Sequence, residues 1–163
     1  MRVGLLGDGF KDFKTGQRKT FVIHESQNDL KELMKFLRAI HRHNYYLIGF
    51  NNLYFDAQIL EYLINNYHII KHWPAEQITE KIHDLAQKII QLPDDQRFMN
   101  LLPEWKLTIP QIDIFKQQHY DRPAKRTSLK WLEFTLRFPN IASMPISHND
   151  NVISDQIPMI LDY

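Results

Sequence analysis

The residues best suited to chemistry lie in the stretch YYLIGFNNLYFDAQIL, from Tyr45 to Leu60. Its first part, Tyr45–Phe50, is apolar and aromatic, which predicts a buried strand. Asp56 follows, ahead of an amphipathic run whose apolar side chains share one helical stripe: Ile59, Leu60, Leu63, Ile64 and Tyr67. A carboxylate is therefore expected where a strand turns into a helix, at the helix end whose partial positive charge favours an anion. Such a group can be an oxygen ligand of a divalent cation or an ordinary helix N-cap.

A second candidate site is a basic loop that leads into a helix near residue 128. Its four cations fall within nine positions, with Tyr120 and Trp131 beside them: Arg122, Lys125, Arg126 and Lys130. Basic side chains suit phosphates and aromatic rings suit exposed bases, so this loop is a candidate nucleic-acid contact. A solvated basic loop next to a core tryptophan is the alternative interpretation.

Composition excludes several classes of function. The chain of 163 residues has the length of a single domain. Its content of 44% hydrophobic and 24% charged residues is ordinary for a globular domain. Its net charge of +1 favours no particular partner, and the lack of cysteine excludes disulfides, thiol catalysis and cysteine-based zinc sites. No stretch resembles a signal peptide or approaches 18 apolar residues, so a soluble, cytoplasmic protein without a membrane partner is expected.

The elements needed to position Asp56 can be predicted along the chain. Strands at Val3–Leu6 and Thr20–His24 flank a turn at residues 14–17, in which Gly16 suits a positive φ. A helix follows with Ser26 or Asn28 as N-cap, and its stripe is Leu30, Leu33, Met34, Leu37 and Ile40. Together with the later elements this order predicts an α/β sandwich around a mixed sheet.

The second half of the chain predicts two more helices and a strand. Pro74 begins a helix with the stripe Ile78, Ile82, Leu85 and Ile89, and residues 94–110 have no clear period and are interpreted as loop. Gln111–Phe115 alternates like a strand, in which Asp113 is interpreted as a residue at the edge of the site rather than a ligand. Thr127 or Ser128 caps a last helix, whose Leu129, Leu132 and Leu136 are expected to face inward.

The spacing Asn51-x3-Phe55-Asp56 resembles the second motif of the DEDD-type 3′–5′ exonucleases, which have an RNase H-like fold and include the proofreading domains of DNA polymerases. Gln111–Phe115 and the later segment TSLKWLE are also similar to the strand and helix between the family's second and third motifs. The resemblance implies a single domain over residues 1–163, with an RNase H-like mixed sheet flanked by helices. It also implies a helical insertion at 74–106 and truncation of the domain at both ends.

The resemblance implies roles for several site residues. Asp56 would bind a divalent metal, Mg²⁺ or Mn²⁺, with Asn51 and Phe55 near the substrate, although a pure turn role for Asn51 is equally open. Asp8 is the candidate first-motif acid, but it lacks the family's glutamate two positions on, and its flanking glycines suit a bulge or turn. Tyr163 would be the catalytic tyrosine of the third motif, or a plain apolar terminal residue.

The missing motifs define the functional alternatives. The segment 3–13 is similar to the family's second strand, which would place the first strand before Met1, and the third-motif aspartate would fall after Tyr163. The expected activity is therefore two-metal hydrolysis of single-stranded DNA, incomplete in this chain. The alternatives are a non-catalytic, nuclease-like module that binds nucleic acid or a polymerase partner, and a fragment of a longer polymerase.

Overall fold

The computed structural model describes residues 6–93, 96, 99–118, 128–139, 141 and 156, with the backbone alone at 6–8. Within these residues the chain combines helices with one antiparallel and one parallel sheet. The predicted α/β class is therefore confirmed. The predicted single mixed sheet is not seen among the described residues, because the antiparallel strands and the parallel strands form two separate sheets.

The first sheet is antiparallel and contains β1 (Leu6–Lys11), β2 (Arg18–His24) and β3 (Gln27–Asn28), in that order. β1 extends further along the chain than the predicted strand, and its Asp8 lies opposite Phe21 in the register. The predicted turn is confirmed, because Gly16 has φ of 71° between the two strands. Only the last four residues of β2 are buried, so the hairpin extends out of the core.

Helix α1 (Leu30–Arg42) covers this sheet with the predicted stripe, all of whose members are buried. The cap differs from the prediction. Asp29 occupies the N-cap position, but its carboxylate accepts a hydrogen bond from the N–H of Val22 in β2 at 3.0 Å. Asn28 instead accepts from the N–H of Leu30 at 3.1 Å. The Asp29 carboxylate therefore bonds β2 instead of the first turn of α1, and this hydrogen bond connects the start of α1 to the sheet.

The second sheet is the parallel pair β4 (Leu47–Gly49) and β5 (Gln111–Asp113). β4 is shorter than the predicted strand, and Tyr45, Tyr46 and Ile48 are exposed. It is flanked by Asn44 and Asn51, both with positive φ, which end extended structure on either side. The prediction of a strand through Phe115 is wrong, because helix α4 (Ile114–Gln118) begins directly after Asp113.

Two long helices complete the core, and both agree with the prediction. They are α2 (Asp56–Ile70) and α3 (Ala75–Gln91), with Pro74 before the latter. Leu63 of α2 is completely buried, and Ile78 and Ile82 of α3 belong to the same apolar cluster as α1. The part of the chain predicted as an insertion therefore contributes to the core.

A polar contact attaches the segment before β5 to α2. Glu61 is buried in α2 and accepts hydrogen bonds from the N–H and the hydroxyl of Thr108, at 2.9 and 2.6 Å. Gln58 bonds both backbone groups of Leu102, at 3.0 Å to the carbonyl and 2.9 Å from the N–H. The region predicted as loop also contains a short 3-10 turn at Glu104–Lys106. Buried polar groups that are paired in this way fix the path of the chain towards β5.

The last described helix, α5 (Leu129–Thr135), begins as predicted at Ser128, whose hydroxyl accepts from the N–H of Trp131 at 3.2 Å. The prediction that its leucines face inward is wrong for Leu129 and Leu136, which are 49% and 71% exposed. Trp131 and Phe134 of this short helix are also exposed, at 57% and 74%, so its apolar residues are not confined to one buried stripe. No helix in the described ranges is long and apolar enough to cross a membrane.

Position 49 requires a glycine, because the turn that follows β4 leaves no room for a Cβ atom there. A Cβ at this position would lie 2.9 Å from the Cβ and Cγ of Asn52, which is itself buried. We expect Gly49→Ala to lower the free energy of unfolding by about 1–3 kcal/mol, as overpacking does in protein cores. Urea unfolding monitored by circular dichroism measures the loss. Gly9→Ala is the matched control, because its Cβ would meet only Thr20 Cγ2 at 3.9 Å, and equal losses in both variants would contradict the argument.

Candidate functional site

Asp56 is the first residue of α2, as the sequence predicts. Between it and β4 the chain makes a 3-10 turn at Asn52–Tyr54, preceded by Asn51 in the left-handed conformation with φ of 58°. Phe55 joins the turn to the helix with φ of −135° and ψ of −77°, which is neither helical nor extended, and packs against the apolar core. The strand, the turn and the helix thus hold the carboxylate at the N-terminal end of α2, where the helix dipole favours negative charge.

The turn before Asp56 is held by a carboxylate from the neighbouring strand. Asp113 is buried at the end of β5 and accepts hydrogen bonds from the N–H groups of Asn51 at 2.8 Å and Leu53 at 3.2 Å. The same side chain accepts from Phe115 at 2.9 Å and, at longer range, from Lys116 at 3.5 Å. One carboxylate therefore caps both the turn after β4 and helix α4.

The amide of Asn52 adds a second link between the two strands. Its Nδ2 donates to Oε1 of Gln111 at 2.6 Å, so the turn is bonded to the beginning of β5 as well as to its end. Its Oδ1 is buried and has no hydrogen-bond partner among the described residues. An unpaired buried acceptor is costly, so this atom is available to a water, an ion or a ligand donor.

The electrostatic state of Asp56 differs from that of an exposed carboxylate. Asp56 is exposed, while the atoms around its carboxyl group remove part of the hydration of that group. This desolvation raises the pKa of Asp56, and the negative charge of Asp113 raises it further, against the lowering effect of its own backbone N–H. A bound cation would stabilise the ionised form of Asp56, because its positive charge offsets both the lost hydration and the repulsion from Asp113.

The described residues do not by themselves fit a pair of divalent ions. Asp113 has both oxygens engaged by backbone N–H groups, which leaves the Asp56 carboxylate as the ligand that the turn presents. No group of three or more His, Asp or Glu close enough to hold a metal occurs in the part of the chain that the structure describes. The donor set has the oxygen chemistry that Mg²⁺ prefers, but it is incomplete.

The other predicted site residues are only partly brought together. Asn51 meets Asp113 through its backbone, and Lys130 lies exposed on α5. The side chain of Asp8 and four further candidates lie outside the described residues: Arg122, Lys125, Arg126 and Tyr163. Trp131 is 57% exposed, so the interpretation of it as a core residue is wrong.

Two residues that position the site were not assigned this role from the sequence. The sequence predicts Asp113 only as a residue at the edge of the site, whereas in the structure it organises the turn before Asp56. The sequence predicts no role for Asn52 that differs from a turn role. A signal for both existed, because the carboxyl ends of two parallel strands lie side by side, and polar residues just beyond these ends are therefore neighbours.

Neither an open cavity nor a known relative identifies the site further. A cavity of about 740 Å³ lies between α2 and the end of α3, and a second of about 640 Å³ lies along α5; Asp56 lines neither of them. In comparisons with known proteins, no family model, no curated protein and no solved structure matches the chain. The function must therefore be inferred from the residues themselves.

The raised pKa of Asp56 predicts a pH-dependent stability effect. The unfolded chain loses this proton near pH 3.8 and the folded chain at a higher pH, so ionised Asp56 destabilises the fold at pH 7 and not below 3.8. We expect Asp56→Asn to be more stable than wild type at neutral pH in metal-free buffer. The difference should vanish on acidification through this range, as measured by urea unfolding at a series of pH values.

Asp12 provides the control of opposite sign. Hydrogen bonds from Thr15 and Lys14 lower the pKa of Asp12, so its ionised form stabilises the fold above about pH 3.8. Asp12→Asn should therefore be less stable than wild type at pH 7. If Asp56→Asn also proved less stable in metal-free buffer, the electrostatic argument for the site would be wrong.

Proposed function

We propose that this chain is the core of a 3′–5′ exonuclease of the DEDD type, with an RNase H-like fold and Asp56 as a ligand of Mg²⁺ or Mn²⁺. The observation that carries the proposal is the position of Asp56. It is a partly desolvated carboxylate at the start of a helix, beside a second carboxylate from the adjacent parallel strand. Ligand sites in α/β proteins lie at this edge of the sheet.

The arrangement of the strands supports the proposal. An antiparallel hairpin and a parallel pair are the two kinds of pairing that an RNase H-like mixed sheet combines, and here they form two separate sheets. In this proposal a further strand carries the acids of the first motif. It pairs with an edge strand of each sheet and so joins the two sheets into one. Such a strand would precede the segment 3–13, since this segment, which contains the whole of β1, is similar to the family's second strand.

In this proposal Asp113 positions the turn and does not bind the metal. Its oxygens hold the N–H groups of Asn51 and Leu53, and a metal bound to them would compete with these hydrogen bonds. Asp113 is in this account a positioning residue, which fixes the turn and leaves Asp56 to bind metal. The remaining carboxylates would come from flanking sequence.

A nuclease assay tests this assignment. The chain as it stands should degrade a 5′-labelled single-stranded 20-mer DNA weakly or not at all with Mg²⁺ or Mn²⁺, because one carboxylate holds two ions poorly. The protein extended by the sequence encoded on both sides should shorten the DNA from its 3′ end. Asp56→Ala should then lower the rate at least about 100-fold, since even residues that only orient metal ligands are worth 10–100-fold.

The control is Asp84→Asn, which removes an exposed carboxylate from α3 and should leave the rate unchanged. Robust degradation by the unextended chain that is abolished by Asp56→Ala would contradict the incompleteness of the site. Activity of the extended protein that does not depend on Asp56 would contradict the assignment of the ligand.

A second candidate function is a non-catalytic module that binds nucleic acid or a polymerase. The incomplete donor set among the described residues favours it. Under this alternative the extended protein binds single-stranded DNA but remains inactive, Asp56→Ala leaves the binding unchanged, and Mg²⁺ stabilises wild type no more than it stabilises Asp56→Ala. The same assay therefore decides between the two functions.

A further inference from the structure

The hairpin between β1 and β2 ends in a tip that projects from the core. Every residue from Lys11 to Thr20 is exposed, and the core begins only at Phe21. With a rise of about 3.4 Å per residue, the three residues from Phe21 to Arg18 place the end of the paired strands about 10 Å outside the core. We refer to residues 11–19 as the hairpin tip.

The tip carries an aromatic side chain that has no packing role. Phe13 is 95% exposed, more than any other exposed large hydrophobic residue that the structure describes. Two phenylalanines of the same hairpin, by contrast, pack on α1: Phe10 and Phe21 both meet Phe36, at ring-centroid distances of 5.0 and 5.3 Å. A single exposed aromatic ring at the end of a projecting ribbon is poorly explained by stability.

The turn that presents Phe13 is held by its own hydrogen bonds. Asp12 accepts from the N–H groups of Lys14 at 2.8 Å and Thr15 at 2.7 Å through Oδ1. Its backbone N–H donates to the carbonyl of Gln17, and its carbonyl accepts from Gly16. The aromatic ring is therefore displayed by an ordered turn, which reduces the entropy lost when it binds.

The tip is also the site of a concentrated positive charge. It contains four cations and one carboxylate, a net charge of +3 where the whole chain has +1. Lys11 and Arg18 lie directly opposite each other in the register, and like charges in this position destabilise a strand pair. Lys19 lies over the ring of Phe36 at 5.3 Å. The described residues show no ion pair to Lys11, Lys14 or Arg18.

We infer that the hairpin tip is a binding surface for single-stranded nucleic acid, in which Phe13 stacks on an unpaired base while Lys11, Lys14 and Arg18 contact phosphates. An aromatic ring among cations is the combination that binds single strands without sequence preference. The repulsion between Lys11 and Arg18 is relieved when phosphate groups lie beside them.

An anionic lipid surface is the competing partner, and the tip suits it less well. Insertion into a membrane interface scales with the apolar area buried, and even a single lipid chain binds a membrane only marginally without a second signal. Here the apolar area is one aromatic ring, which is much smaller than a lipid chain, and the residues that follow Lys14 are Thr15, Gly16 and Gln17. Base stacking needs only the one ring that is present.

This inference rests on the proposed function only in that both require the chain to meet nucleic acid; it requires neither Asp56 nor a metal. The test is therefore made in EDTA, which removes the metal chemistry. Binding of a fluorescein-labelled single-stranded 20-mer is followed by fluorescence anisotropy over a range of salt concentrations, for wild type and for variants whose circular dichroism is unchanged.

Two variants separate the ring from the charges. Phe13→Ala should weaken binding about tenfold with an unchanged salt slope, because stacking on one base is lost. Changing Lys11, Lys14 and Arg18 to Gln should reduce the slope of log affinity against log salt by about 2, as expected for three phosphate contacts to a single strand. The controls are Ile90→Ala, and Lys31, Lys71 and Lys81 changed to Gln, which remove an exposed apolar side chain and three exposed cations elsewhere.

The outcomes are distinct. Effects confined to the tip variants support the inference, whatever the nuclease assay gives. Binding that the tip variants leave unchanged overturns it and leaves the proposed function standing. If wild type does not bind the DNA, the inference is wrong. If in addition wild type binds phosphatidylserine vesicles and Phe13→Ala does not, the tip is a membrane-binding surface instead.

Discussion

The hydrogen bonds that the Asp113 carboxylate accepts are the constraint on which the site depends. Strand β5 brings this side chain beside the end of β4, where it accepts hydrogen bonds from the backbone N–H groups of Asn51 and Leu53. It also accepts one from the N–H of Phe115, at the start of the helix that follows β5. Backbone N–H groups at the start of helical turns have no partner within the helix. A single buried charge supplies the partners for two such turns, and the position of Asp56 follows from the first of them.

Helix α2 transmits this constraint to the rest of the fold. Its apolar side packs Leu63 into the core with α1 and α3, and its polar side bonds the segment before β5 through Gln58 and Glu61. Because that segment leads directly into β5, the helix that carries Asp56 also holds the strand that carries Asp113. The two carboxylates are thus positioned by one connected set of buried contacts, and their proximity contributes to the raised pKa of Asp56.

The sequence predicts the parts of the fold that have a regular hydrophobic period. The stripes of α1, α2 and α3 and the position of Asp56 at a helix start are examples, since local spacing determines them. The end of β5 could not be predicted in this way, because Ile114 continues the alternation of polar and apolar residues, whereas the hydrogen bond from Phe115 to the Asp113 side chain starts a helix there. The exposure of Leu136 could not be predicted either, because it depends on which part of the chain packs against α5, and the spacing of the leucines carries no information about that. The role of Asn52 likewise depends on a strand almost 60 residues away, where it meets Gln111.

Amide hydrogen exchange in wild type and Asp113→Asn tests this account most directly. An asparagine keeps the size of the side chain but replaces one acceptor by a donor and removes the charge. The amides bonded to one oxygen therefore lose their acceptor, and those bonded to the other keep only a weaker, neutral hydrogen bond. The account predicts that the amides of Asn51, Leu53 and Phe115 exchange at least about tenfold faster in the variant, while the amide of Leu37 in α1 stays protected, as local opening allows. Unchanged protection at these three amides would contradict the claim that Asp113 holds the turn that presents Asp56.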